Sequence, residues 1–315
     1  MHAEFRALRE RLQVSNTALE PGFQAVRKFC RLVREHQMQE FHLIARHGGA
    51  LLSKHKHKLG DEAYILAEQV FVAALNIGAL GSAEQCLSFL TTSVPNGKRV
   101  LRLKGMLREA QGQFYEASKI YRDILEKHPA DSLTYKRLIA IAKATCTNEY
   151  VIELLVEYLN TFMLDAEAWQ ELLDAYLKQC CYQHAAFCCE ELILLQPQNY
   201  HFYVLYAEIL YTQGKFKNYM LARKYYSFAL ELSEENNVRA LWGLALTTEV
   251  IRKNWPNALN KKELDMNSKL FQLAKDMLLS DGASHQSSHL QHLLDVDNAT
   301  LDRLQFTFSH KCKND

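Results

Sequence analysis

Apolar residues recur along this chain at spacings of three and four. Phe23, Val26, Cys30 and Val33 fall on one face, as do Leu270, Leu273, Ala274 and Met277, and Leu43, Arg46, Ala50 and Leu51 follow the same rhythm more loosely. That period belongs to amphipathic helices, which turn one stripe towards a core. It predicts two helices in the N-terminal segment and one from Lys262 to Leu279, after a break at Asn254, Trp255, Pro256 and Asn257. The Gly/Ser/His-rich stretch from Ser280 to Ser288 reads as a loop before a last helix near Leu290 to Leu304.

Between these segments lies a longer period. Pro95, Pro129 and Pro197 are separated by 34 and 68 residues, Gly78, Gly112 and Gly214 by 34 and 102, and Ala83, Ala117, Val151 and Ala185 share a third phase. Each phase has a role in a repeated helical hairpin. Glycine accepts the left-handed backbone at which a first helix reverses. A small residue on the second helix lets the pair approach closely, and proline ends that helix by removing an amide donor.

This arrangement resembles the tetratricopeptide family. Trp169, Leu172, Tyr176, Ala185 and Pro197 approach its W-x2-L-x3-Y … A … P pattern, and Leu101, Gly105, Ala117, Tyr121 and Pro129 take the corresponding places in the unit from Lys98. The unit from Ser132 is degenerate, with Tyr135, Leu138 and Val151 but Met163 at the proline position. In the unit from Tyr200, carrying Tyr203, Tyr206 and Ala207, the landmarks Ala222, Tyr226 and Ala229 come three residues late, which implies an insertion between Lys215 and Met220. The expected fold is all-α, a right-handed α-solenoid of these repeats over residues 64–250, flanked by capping helices in 1–63 and 251–315.

Composition agrees with a helical array. Twelve Gly and five Pro among 315 residues are too few for a turn-rich β fold. Lys plus Arg (37) balances Asp plus Glu (36), so no overall field favours nucleic acid. Charge is segregated, however: residues 1–58 hold 11 basic and 5 acidic side chains, a net +6, and the remainder is −5. The longest uncharged run, Leu192 to Ala207, is interrupted by Gln196, Pro197, Gln198 and Asn199, so no membrane span is expected. Glu4, Arg6, Arg9, Glu10 and Arg11 stand where a signal peptide would need apolar residues, and the eight cysteines read as reduced thiols in a helical core.

Phosphate-loop, dinucleotide, zinc-protease, nucleophile-elbow and C-x-x-C motifs are all lacking, which points away from an enzyme. Cys180, Cys181, His184, Cys188 and Cys189 offer soft ligands, but their register favours core packing over zinc, with redox sensing a further alternative. His285, His289 and His292 would share a helical face suited to a metal or a pH response, or simply to solvent. The run Lys54, His55, Lys56, His57 and Lys58 reads as a solvated turn or a contact for phosphate or lipid head groups. No metal and no cofactor are expected.

The resemblance implies an inner groove lined by the first helix of each unit, through its second, fifth, ninth and twelfth positions. These positions include Arg99 and Arg102, then Lys136 and Lys143, then Glu167 and Asp174, then Glu208 and Tyr211, making a groove basic early and acidic later. Ordinary solvated charge is the alternative. The Lys and Asn pair with which chaperone-binding members clamp an acidic tail is missing, since the matching places hold Glu68 and Val72, Arg102 and Met106, Lys136 and Ala140.

The segments between landmarks are more specific. KLGDEAYILAEQVFVAALNIG (Lys58 to Gly78), RLKGMLREAQGQFYEASKIYRDILEKHPAD (Arg102 to Asp131), EAWQELLDAY (Glu167 to Tyr176), AAFCCEEL (Ala185 to Leu192), YAEILYTQG (Tyr206 to Gly214) and RALWGL (Arg239 to Leu244) look like the family of second subunits of the endoplasmic reticulum membrane protein complex. The resemblance implies a non-catalytic scaffold, peripheral on the cytoplasmic face of that membrane, in a complex that inserts tail-anchored and other transmembrane segments. Its implied partners are the small cytosolic subunit 8 or 9 and cytosolic parts of subunits 3 and 5. A co-chaperone adaptor holding an extended peptide in the groove, and a cysteine-dependent enzyme or metal protein, stand as the alternatives.

Overall fold

The computed structural model describes residues 2–14, 22–233 and 237–282. His285, His289, His292 and the last helix expected near Leu290 to Leu304 lie outside them. Among the described residues the chain is helical, with no strand. It divides into two compact units, Met1–Thr147 and Asn148–Asp315, and the division falls within the degenerate repeat that begins at Ser132.

The first unit contains α1 (His2–Val14), α2 (Phe23–Glu35), α3 (Phe41–Leu43), a π-helical turn (Ile44–Gly48), α4 (Gly49–Leu59), α5 (Glu62–Asn76), α6 (Leu80–Ser93), α7 (Lys98–Ala110), α8 (Phe114–Lys127) and α9 (Ser132–Thr145). The sequence predicts two helices before residue 60, and the structure adds α1, held by the stacking of Phe5 on Phe29 and by buried Leu12, whose carbonyl lies 3.1 Å from His47 Nε2. A π turn over Ile44–Gly48 interrupts the α-helix between α3 and α4. The buried face there is Ile44, His47 and Leu51, one residue on from the Leu43, Arg46 and Ala50 expected from sequence, of which Arg46 and Ala50 are exposed.

The second unit contains α10 (Asn148–Thr161), α11 (Ala166–Lys178), α12 (Tyr182–Leu195), α13 (Tyr200–Gln213), α14 (Phe216–Leu232), α15 (Val238–Asn254) and α16 (Lys261–Gly282). The inferred insertion lengthens α14 to 17 residues where α8 and α12 have 14. Helix α16 is tied down by a buried polar relay in which Arg223 donates to Asn267 at 2.9 Å and Asn267 donates to the Thr248 carbonyl at 2.8 Å.

Three of the hairpin turns share the same pair of backbone bonds. At Gly78 and Gly112, with φ of 74° and 76°, the glycine amide bonds back three residues and the next amide bonds back five, satisfying carbonyls the helix end leaves open. The turn at Cys180 makes the same two bonds, so a non-glycine residue is held at φ 57°. Beyond each turn, the small-residue positions Ala83, Ala117, Ala185 and Ala222 are wholly buried. Pro95, Pro129 and Pro197 each stand two residues after the end of a second helix, and Met163 holds the same place after α10.

Candidate protein-interaction faces

A ladder of charge pairs joins successive repeats. Arg31 meets Glu62 at 3.3 Å, Arg99 meets Glu68 at 2.8 Å and Arg239 meets Glu208 at 2.5 Å, each across 31 residues. An offset of 31 is one 34-residue repeat less about one helical turn, so the Arg99 and Arg239 bridges each link a first helix to its counterpart one repeat away, and Arg31 makes the same step from α2 to α5. Glu62 also takes Arg27 at 2.5 Å and Arg34 at 3.5 Å. Burial would raise its pKa, but the hydrogen bonds from Arg27 and Arg31 prevail and hold it below the usual carboxylate range.

In the first unit, Arg102 is the most deeply engaged of the groove residues expected from sequence. Its guanidinium grips both Asp131 oxygens at 2.9 and 2.7 Å and donates to Thr134 Oγ1 at 3.2 Å, locking the entry to α9. Asp131 is buried, which alone would raise its pKa, yet bonds from Thr134 and Arg102 hold it below its ordinary value. Arg99 is exposed in its bridge to Glu68. Lys136 and Lys143, seven residues apart on α9, are exposed on one side of that helix. Beside them Glu109 accepts from the buried Tyr121 hydroxyl and from Arg137 at 3.1 Å, a junction that sequence reasoning misses.

In the second unit Glu167 and Asp174 are likewise seven apart and exposed on α11. Glu208 is engaged by Arg239, and that hydrogen bond raises the arginine's pKa. Tyr211 is half-buried edge-on against Tyr219, 5.2 Å between centroids, and burial pushes its hydroxyl up to about 12. Of the expected groove charges, Arg99, Arg102 and Glu208 thus bond to side chains one repeat away, and Lys136, Lys143, Glu167 and Asp174 are exposed on α9 or α11, as Arg99 is on α7.

Cys188 and Cys189 are buried in the α12 core, and burial pushes both thiols up to about 12, while Cys180 is exposed and Cys181 half-buried. Among the described residues no three His, Cys, Asp or Glu side chains come together as a metal site. The run Lys54 to Lys58 ends α4, where Lys56 lies 3.7 Å from the centroid of the Phe89 ring and His55 meets Phe23 edge-on. No helix among the described residues is long and apolar enough to cross a membrane.

Sequence reasoning also misses a group of exposed apolar side chains in the second unit: Met163, Leu164, Phe187 and Leu194. Hydropathy places such residues inside. Only comparison with the same register position in other repeats would have marked them as outward-facing.

The part of a tetratricopeptide-repeat protein from Cytophaga hutchinsonii whose crystal structure is known superposes with a TM-score of 0.56 over 84% of this chain and 97% of its own, at 14% identity, a likeness of fold. Residues 86–220 match the family described as EMC2 TPR-like repeat domain. ER membrane protein complex subunit 2-A of Xenopus laevis is 41% identical over 232 residues, 74% of this chain and 77% of that protein. ER membrane protein complex subunit 2 of Dictyostelium discoideum is 34% identical over 72% of this chain and 71% of its own. With its helical-hairpin repeats and an identity of this extent along most of its length, the chain belongs to the family of ER membrane protein complex subunit 2.

Proposed function

We propose that the chain is a non-catalytic scaffold subunit of the ER membrane protein complex, held at the cytoplasmic face of the membrane by its protein partners. The observation that carries this reading is the 41% identity over 74% of the chain to a protein named as subunit 2 of that complex. Its partners in this reading are the small subunit 8 or 9 and cytosolic parts of subunits 3 and 5, and the assembly inserts tail-anchored and other transmembrane segments.

Partner segments contact the first-helix faces of each unit. In the first unit Arg99, Lys136 and Lys143 meet acidic residues of the partner, and Arg102 acts through Asp131 by fixing the start of α9. In the second, Glu167 and Asp174 meet basic residues, while Glu208 and Tyr211 shape the face from α13. Such charges set orientation more than affinity.

The test is affinity purification of the tagged full chain from detergent-solubilised membranes, with identification of the chains that copurify. Recovery of the other complex subunits in constant ratio is the expected result. Recovery of the chain alone, or with cytosolic chaperones only, overturns the reading.

A further inference from the structure

The repeats supply their own control for what an outward position should carry. Phe187 stands at the register position occupied by Gln85, Lys119, Glu153 and Lys224 in other units, and Leu194 at that of Thr92, Glu126, Asn160 and Glu231, all exposed. Met163 and Leu164 stand where the others have Pro95 and Asn96, Pro129 and Ala130, Pro197 and Gln198. Large apolar side chains thus replace the usual residues at the end of the unit from Ser132 and on the second helix of the next, exposed by 63% (Met163), 84% (Leu164), 53% (Phe187) and 75% (Leu194).

These residues are presented on a fixed support. The Trp169 indole donates to the Met163 carbonyl at 2.8 Å, and its ring meets Phe187 edge-on with centroids 6.0 Å apart. Asp165 closes the loop by accepting from the Tyr158 hydroxyl at 2.7 Å and from the amides of Glu167 and Ala168. The segment that carries them is acidic. Residues 148–195 hold nine acidic side chains and one basic, Lys178, a net −8 in a chain whose total is +1. Glu153 and Glu190 are exposed on α10 and α12.

We propose that Met163, Leu164, Phe187 and Leu194 form a docking surface for a basic amphipathic helix of a protein partner. Phe187 and Leu194 lie two turns apart, roughly 10 Å along α12, the span between residues i and i+7 of a helix laid against them. A pliable Met beside Leu and Phe suits apolar anchors of differing shape. The acidic segment attracts Lys and Arg on the flanks of such a helix and repels an anionic bilayer. This surface involves α12 and the loop before α11 rather than the charged positions proposed above, and it does not depend on complex membership.

The test uses the full chain and a fluorescent 18-residue peptide with Leu at helical spacing and Lys elsewhere, followed by anisotropy. The repeats dictate the variant: Phe187→Lys with Leu194→Glu installs residues tolerated at those positions in neighbouring units, and an unchanged melting curve checks the fold. Binding should weaken by about tenfold or more in this variant, since a few buried anchors carry most of the affinity. Tyr115→Lys, a change at an exposed ring of the first unit, should leave binding as it was. The peptide with Glu in place of Lys should not bind. Equal affinity in wild type and the double variant overturns the proposal. So does loss, in that variant, of binding to phosphatidylserine vesicles or of a dimer seen by sedimentation, which would assign the surface to a membrane or to a second copy.

Discussion

The ring of Tyr121 fills the space that a side chain at position 105 would need. A Cβ on Gly105 would lie inside contact distance of the ring's Cε1, Cζ and hydroxyl, so glycine there lets α7 and α8 close on each other. Gly243 stands in the same relation to Tyr226. Gly105→Ala should destabilise the fold by about 1–3 kcal/mol through overpacking. Gly81, on α6 with nothing within 4 Å of its Cβ position, supplies the contrast, and Gly81→Ala should stabilise by about 0.5–1 kcal/mol. Urea midpoints of the two variants should move in opposite directions.

Cys180→Gly should raise stability by about 0.5–1 kcal/mol. At φ 57° cysteine bears a steric cost that Gly78, Gly112 and Gly214 avoid, and the gain is reduced by glycine's freedom in the unfolded chain. A lower thermal midpoint for this variant would show that the thiol makes a contact outweighing the strain.

Arg102→Ala should cost about 2–4 kcal/mol, because it removes the two-bond partner of the buried Asp131 carboxylate and leaves it only the Thr134 hydroxyl and Lys98 at 4.0 Å. The pair also sets an acid limit. Asp131 has a folded-state pKa below its ordinary value, so its contribution is present above the unfolded pKa and is lost as pH falls through the folded one. Asp131→Asn should therefore start less stable at neutral pH and lose less on acidification, as read from denaturation midpoints across the acid range.

Alkylation of the native chain near neutral pH should label Cys146 and Cys180, both exposed. Cys30, Cys188 and Cys189, with thiols pushed up to about 12 by burial, and Cys86, pushed up to about 11, should react only after denaturation. Mass spectrometry of the labelled peptides reads the difference. Rapid native labelling of Cys188 would show that α12 opens.

Reversal of Lys136 and Lys143 together to Glu should lower recovery of partner subunits in the purification described above, with helical content unchanged. Single reversals should do little, since an exposed charge pair is worth about 0–1 kcal/mol. Full recovery with both reversed would remove the charged face of α9 from the contact.

The hairpin turns and their spacing are legible in the sequence because glycine at positive φ, a buried alanine and a proline stop are each required by local geometry. Gly78, Gly112 and Gly214 show this, as does the three-residue delay at Ala222 that becomes the longer α14. The capping region is less legible. In α1 the ring contact of Phe5 and the burial of Leu12 depend on a helix that follows later, and at the π turn the inward face takes the polar His47 while Ala50 is exposed, which hydropathy does not indicate. Candidate groove charges were readable as positions but not as partners. Whether Arg99 faces solvent or Glu68 depends on the helix one repeat away, and a residue's type says nothing of that neighbour.

Glu62 gathers Arg27, Arg31 and Arg34 of α2 onto the first turn of α5. The ion pairs between α2 and α5 thereby converge on a single anionic point, beside the hydrogen bonds of Gln69 with Arg34 and with the Cys30 carbonyl. Removing any one arginine leaves the other two in place, whereas neutralising Glu62 sets three like charges on one helix face against each other. Redundancy on one side and none on the other makes position 62 the place where a one-atom-scale change, carboxylate to amide, weakens three ion pairs at once, leaving α2 held by the burial of Val26, Phe29, Cys30 and Val33.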